Sequence, residues 1–196
     1  KISGLTFGDL YFFPAHSTKA LNKQHGFWFR RIYLGWYKPV TEVVSARLRF
    51  EMNGGDPTSA AATMTPYVKD AFLKWKLSDT HGLSVGMTSP GALDREEKNW
   101  GFRYIEKTPL DLWGFAPSRD IGAAIEGKVA DGALQYSFML GNGSGTSNET
   151  NEEKKMYFSI AYPFDRFVIE FYTDYAMFGS YTAKGFLGYS TDTLRA

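Results

Sequence analysis

The sequence predicts an all-β fold, a transmembrane antiparallel up-and-down β-barrel with about ten strands in this chain. The first observation behind this is alternation: apolar and polar residues exchange places over segments of about ten residues, and the polar set includes full charges. The second is composition. Aromatics make up 17% of 196 residues and glycines number 20, yet mean hydropathy is negative, as in a wall where only every second residue must be apolar. The third is rhythm, because long and short connections alternate along the chain, as outer loops and periplasmic turns do.

The alternation predicts strands over Ile2–Phe13, Phe27–Tyr37, Val43–Met52, Tyr67–Leu77, Leu83–Thr88, Ile121–Val129, Ala133–Leu140, Lys155–Tyr162, Phe167–Ala176 and Thr182–Tyr189. In the first, Leu5, Phe7 and Tyr11 share a face with Asp9, so its facing stays open. The third is the clearest. Val44, Ala46, Leu48, Phe50 and Met52 fall on one side, and Ser45, Arg47, Arg49 and Glu51 on the other. The fourth sets Ala71, Leu73, Trp75 and Leu77 against Asp70, Phe72, Lys74 and Lys76. Later strands repeat the pattern: Leu134, Tyr136, Phe138 and Leu140 oppose Gln135 and Ser137, and Phe167, Ile169, Phe171 and Tyr175 oppose Glu170, Tyr172 and Asp174.

Long connections over Pro14–His25, Asn53–Pro66, Ser89–Asp120 and Gly141–Lys154 read as outer loops, and the first strand then runs outward. The link Met177–Ser180 is too short for this rhythm. The third outer loop is the longest. It mixes charge with Trp100, Leu110, Leu112, Trp113 and Phe115, which predicts a loop folded against the lumen rather than one standing in solvent.

No stretch approaches the roughly 20 consecutive apolar residues of a membrane helix. Cysteine is absent, which suits an exported protein. The chain opens at Lys1 without a charged-then-apolar leader, so any signal peptide is expected to be missing from this sequence. A net charge of +1 gives no bulk attraction for nucleic acid. After Thr191 the chain turns into what reads as a further strand, and open edges are costly in lipid. Residues 1–196 are therefore expected to be one β-barrel domain, the N-terminal part of a longer chain.

Charges facing the lumen are the candidates for transport, since rings of charged side chains set ion selectivity. The bases Arg31, Arg47, Arg49, Lys74, Lys76 and Lys128, with Arg103 and Lys107 of the long loop, form a candidate anion path. Lys184 also falls on that face, with the acids Glu51, Asp70, Glu126, Glu170 and Asp174. Asp94, Glu96 and Glu97 are the candidate acids of a constriction loop, opposite the bases and able to set up a transverse field. Trp28, Trp36, Tyr37, Trp75, Tyr162 and Tyr175 suit interfacial girdles.

The run Phe29-Arg30-Arg31-Ile32-Tyr33-Leu34-Gly35, then Ser45-Ala46-Arg47-Leu48-Arg49-Phe50-Glu51, then the long loop after the fifth strand, resembles the phosphate-selective (phosphate/polyphosphate) porin family of the bacterial outer membrane. Asp70-Ala71-Phe72-Leu73-Lys74-Trp75 and Leu83-Ser84-Val85-Gly86-Met87 resemble its fourth and fifth strands. The resemblance implies a barrel of roughly sixteen or more strands, a homotrimer in contact with membrane lipid and lipopolysaccharide, and a third outer loop folded inward. It implies a passive water-filled channel for small hydrophilic solutes, leaning to anions such as phosphate, with no cofactor and no catalysis. The alternatives are an outer-membrane β-barrel enzyme and a surface receptor or binding barrel. An enzyme would have to draw on His16, His25 and His81, none of which lies in a recognisable nucleophile motif.

Overall fold

The computed structural model describes residues 1–59, 63–164 and 167–177, and the backbone of 184–191. Ten strands follow one another in a single sheet, each beside its sequence neighbours: β1 (Ile2–Phe12), β2 (His25–Pro39), β3 (Val44–Asn53), β4 (Thr65–Lys76), β5 (His81–Thr88), β6 (Asp120–Val129), β7 (Leu134–Gly141), β8 (Lys154–Phe164), β9 (Phe167–Met177) and β10 (Lys184–Thr191). The pairings are antiparallel, for example Leu83 against Ile125 and Phe138 against Phe158. Among the described residues β1 pairs with β2 and β10 with β9, and no ladder joins β1 to β10. No helix among them is long and apolar enough to cross a membrane.

Contacts divide the chain into two compact units, Lys1–Tyr37 with Leu48–Lys69 and Lys38–Arg47 with Asp70–Ala196, so the divisions fall inside strands rather than in linkers. Most expected strand bounds agree to within two residues of those observed. The first strand ends at Phe12, one residue earlier than expected, although the Phe13 N–H still donates to the Gln24 carbonyl at 2.9 Å in the same register. The expected link at Met177–Ser180 and the tail after Thr191 lie, past Met177 and Thr191, outside the described residues.

Within both units the faces are inverted relative to a water-soluble protein. Among the described residues, buried polar and charged side chains such as Arg31, Glu51, Asp70, Ser137 and Asp174 outnumber buried apolar ones. Large apolar side chains stand exposed at alternate strand positions: Phe27 (91% exposed), Leu34 and Trp36 on β2, Leu73 on β4, Phe138 and Leu140 on β7, Ile169 and Phe171 on β9. Moving such a side chain to apolar surroundings is worth about 1.5–3 kcal/mol. On the order of ten of them outweigh a net folding stability of about 5–15 kcal/mol, so the exposed face suits apolar surroundings rather than water.

The first unit contains one departure from alternation, and it corrects an expectation. Phe7 pairs with Arg31, but Gly8 pairs with Phe29, which leaves Arg30 as an extra residue in β2. Such a bulge shifts the side-chain phase by one. Phe27 and Phe29 point to the exposed face, while Trp28, Arg30, Arg31 and Tyr33 share the polar one. Trp28 therefore does not join an outer girdle; its indole donates to the Gly54 carbonyl at 3.3 Å and lies under the Arg30 guanidinium. The bulge also settles β1, whose Phe7, Asp9 and Tyr11 lie on the polar side while Leu10 and Phe12 face out.

The long loop of the second unit is largely ordered by two helices, α1 (Ala92–Trp100) and α2 (Pro109–Leu112). Gly101 ends α1 in the left-handed region, the usual glycine stop. Pro109 opens α2, where a missing N–H costs nothing. At the start of α1, Gly91 has φ +90, and a Cβ there would run into Ser137 of β7.

Candidate functional site

The polar face of the first unit gathers cations around two carboxylates. Arg30 holds Asp9 in a fork, Nη2 to Oδ1 at 2.6 Å and Nε to Oδ2 at 3.0 Å. Glu51 receives Arg31 Nε at 3.6 Å and Lys69 Nζ at 3.1 Å. Arg49 stacks 5.3 Å from the centre of the Tyr33 ring, whose hydroxyl lies 3.4 Å from Arg31 Nη1. Among the described residues of this cluster the four cations Arg30, Arg31, Arg49 and Lys69 gather around the carboxylates of Asp9 and Glu51, on a face backed by apolar side chains, where fields are focused.

In the second unit Arg47 donates its Nε–H to Asp70 Oδ2 at 2.8 Å, and Arg119 takes the other oxygen of the same carboxylate. Lys74 pairs with Glu126 across β5. Lys76 lies at the short-turn end, 2.5 Å from Asp79, and Lys128 stands exposed on β6, its backbone N–H bonded to the Thr80 carbonyl.

The long loop seats itself on the polar face of β7–β9. Ala92, Leu93, Leu110 and Ala116 are buried with Met139, Tyr157 and Tyr172. The tyrosine hydroxyls are satisfied beneath them, Tyr157 donating to Asp120 at 2.7 Å and Tyr172 to Asp174 at 2.8 Å. Asp174 also meets Lys155 Nζ at 3.0 Å. At the rim of this apolar seat Arg95 donates to Glu170 at 2.8 Å and to Ser159, and Ser159 continues through Ser137 to the Pro90 carbonyl.

The other loop residues singled out from sequence serve the loop itself. Arg103 reaches Glu97 at 3.3 Å and Asp111 at 3.6 Å, and Lys107 lies 3.8 Å from Asp111. Asp94 stays open to solvent, 3.7 Å from Arg119. Glu96 is different: its Oε1 accepts the Leu110 N–H at 3.2 Å, joining α1 to α2. Burial pushes its carboxyl above the usual carboxylate range, and the charges of Glu170 and Glu97 act in the same sense.

Sequence reading missed Arg30, Lys69, Arg95 and Arg119. The signal for the first two was present: Arg30-Arg31 and Lys69-Asp70 are charge doublets inside alternating segments, where strict alternation would send one member to the apolar side. Arg95 sits among acids in α1, and Arg119 precedes β6 without any pattern that marks it. Of the histidines, His16 Nδ1 accepts the Thr18 N–H at 3.0 Å and His81 Nδ1 lies 2.8 Å from the Thr80 hydroxyl, both within turns.

This inverted sheet with a charged face matches the family described as phosphate-selective porin O and P over residues 6–165. The chain belongs to that family. The match spans β1 to β8, the long loop included. No curated protein matches the chain. Membership makes it a porin chain rather than one from an enzyme family, and it accounts for polar residues lining one face of the strands whose side chains are described, β1 to β9, while the other face suits hydrocarbon.

Proposed function

We propose that this porin forms a passive, water-filled channel through the bacterial outer membrane for small hydrophilic solutes, with a preference for anions such as phosphate. The observation that carries the reading is the cation excess around Glu51 and Asp9, on the face turned away from the apolar side chains. Arg30, Arg31, Arg49 and Lys69 raise the local anion concentration, and guanidinium groups can grip a phosphate oxygen pair where an ammonium acts as a point charge. Arg47, Lys74, Lys76, Arg103, Lys107 and Lys128 are the further bases of the path. The loop acids Asp94, Glu96 and Glu97 belong to the constriction.

The apolar face meets acyl chains and lipopolysaccharide, and the assembly is a homotrimer, as the family resemblance implies. The test is the reversal potential of the complete protein in a planar bilayer under a potassium chloride gradient, repeated with phosphate. An anion-directed potential and a phosphate block are expected. Arg49→Gln should reduce the chloride-over-potassium permeability ratio by about twofold. Folded protein without conductance, or a cation-directed potential, would overturn the reading.

A further inference from the structure

Asp70 stands out because its two oxygens serve different parts of the second unit. Oδ2 takes Arg47, a β3 residue whose side chain remains 41% exposed, and Oδ1 takes Arg119, a loop residue that is 5% exposed. Arg119 also approaches Asp94 in the first turn of α1, so it links the end of the long loop to its beginning. The carboxylate itself is 2% exposed. One buried negative charge thus neutralises a cation open to solvent and anchors a cation that holds the loop.

We propose that Asp70 is a specificity-determining and positioning residue of the channel, setting both the seat of the long loop and the strength of the positive charge that Arg47 shows to a passing solute. This rests on the reading of the chain as an ion-conducting pore. The physical basis is that a buried ion pair stripped of one partner leaves the other uncompensated. Loss of the carboxylate frees Arg47 to act on solutes and loosens Arg119 together.

The opposite rim of the loop supplies the control. Arg95 binds Glu170 and Ser159, and neither is a residue of the anion path. Because Arg95 is far less open to solvent than Arg47, an Asp70 that only seats the loop would behave like Glu170, whereas a specificity residue would move selectivity more.

The experiment compares single channels of the complete protein and of Asp70→Asn, Glu170→Gln and Arg119→Gln in planar bilayers under a potassium chloride gradient. Asp70→Asn should raise the chloride-over-potassium permeability ratio by about twofold and increase open-channel noise. Glu170→Gln should increase noise and shift the ratio less than Asp70→Asn does, because the Arg95 side chain it releases is 17% exposed where that of Arg47 is 41%. Arg119→Gln keeps the Asp70–Arg47 pair but removes a positive charge, so the ratio should fall; it tests the proposal even if Asp70→Asn does not fold. Unshifted ratios in Asp70→Asn or Arg119→Gln, or equal shifts in Asp70→Asn and Glu170→Gln, overturn the inference alone. A wild-type protein that folds but does not conduct overturns the pore reading, and the inference with it.

Discussion

Arg30 and Asp9 form a two-point ion pair on the polar face, although strict alternation with Arg31 would have sent Arg30 to the apolar side. The bulge in β2 makes the pair possible, and the pair in turn holds the bulge in place. A guanidinium among the exposed apolar side chains would not have met Asp9, which lies on the polar face.

Asp9→Asn is expected to destabilise the β1–β2 pair by about 1 kcal/mol, since forked, partly buried pairs exceed the small worth of exposed ones. A double-mutant cycle with Arg30→Gln, read from the midpoint of heat-induced mobility change in detergent, should give a coupling energy of that size. Additive effects would show that the pair is geometrically present but energetically idle.

The seat of the long loop rests on Leu93, which is fully buried beside Tyr157 and Tyr172. Leu93→Ala should weaken docking by about 2–5 kcal/mol, the range for buried leucine truncation. Limited proteolysis within residues 89–119 reports this directly. Cleavage should accelerate while the strands remain protected.

Docking of that loop should also depend on pH through Glu96. Its folded carboxyl lies above the ordinary value, chiefly because of burial and then because of Glu170 and Glu97. The docked state consequently binds the proton more tightly than the released one. Docking is strongest below the ordinary carboxylate value and weakens as pH rises through the shifted one. Protection against hydrogen exchange in α1, taken relative to the intrinsic rate at each pH, should rise on going from about pH 8 to about pH 5, and Glu96→Gln should remove most of that rise.

Ala130 occupies the left-handed region in the β6–β7 turn, with φ 53, beside Asp131 at φ 54. An alanine there carries a steric cost of about 1–2 kcal/mol that glycine avoids. Ala130→Gly should raise the thermal midpoint, corresponding to a gain of about 1 kcal/mol after the larger chain entropy of glycine is allowed for. No change in conductance is expected, because the turn carries none of the path residues.

Strand order, strand bounds and the family were legible in the sequence, because the two-residue period of a strand is a local property and the charged set of Arg47, Arg49 and Glu51 declares its own face. The same period could not reveal the bulge after Phe7, so sequence reading leaves Arg30 out of the inward bases and sets Trp28 in an outer girdle. The expectation of a loop folded inward came from its mixed composition, and its Leu93 and Leu110 are indeed buried on the polar face of β7–β9.

By itself the sequence determined which residues prefer water and which prefer hydrocarbon, and so the class of fold. Tertiary structure alone decided which charges meet. Asp70 finds Arg119 and Arg95 finds Glu170 over 49 and 75 residues of chain. Such pairing depends on strand register and loop seat, which bring distant segments together, and no local periodicity carries that information.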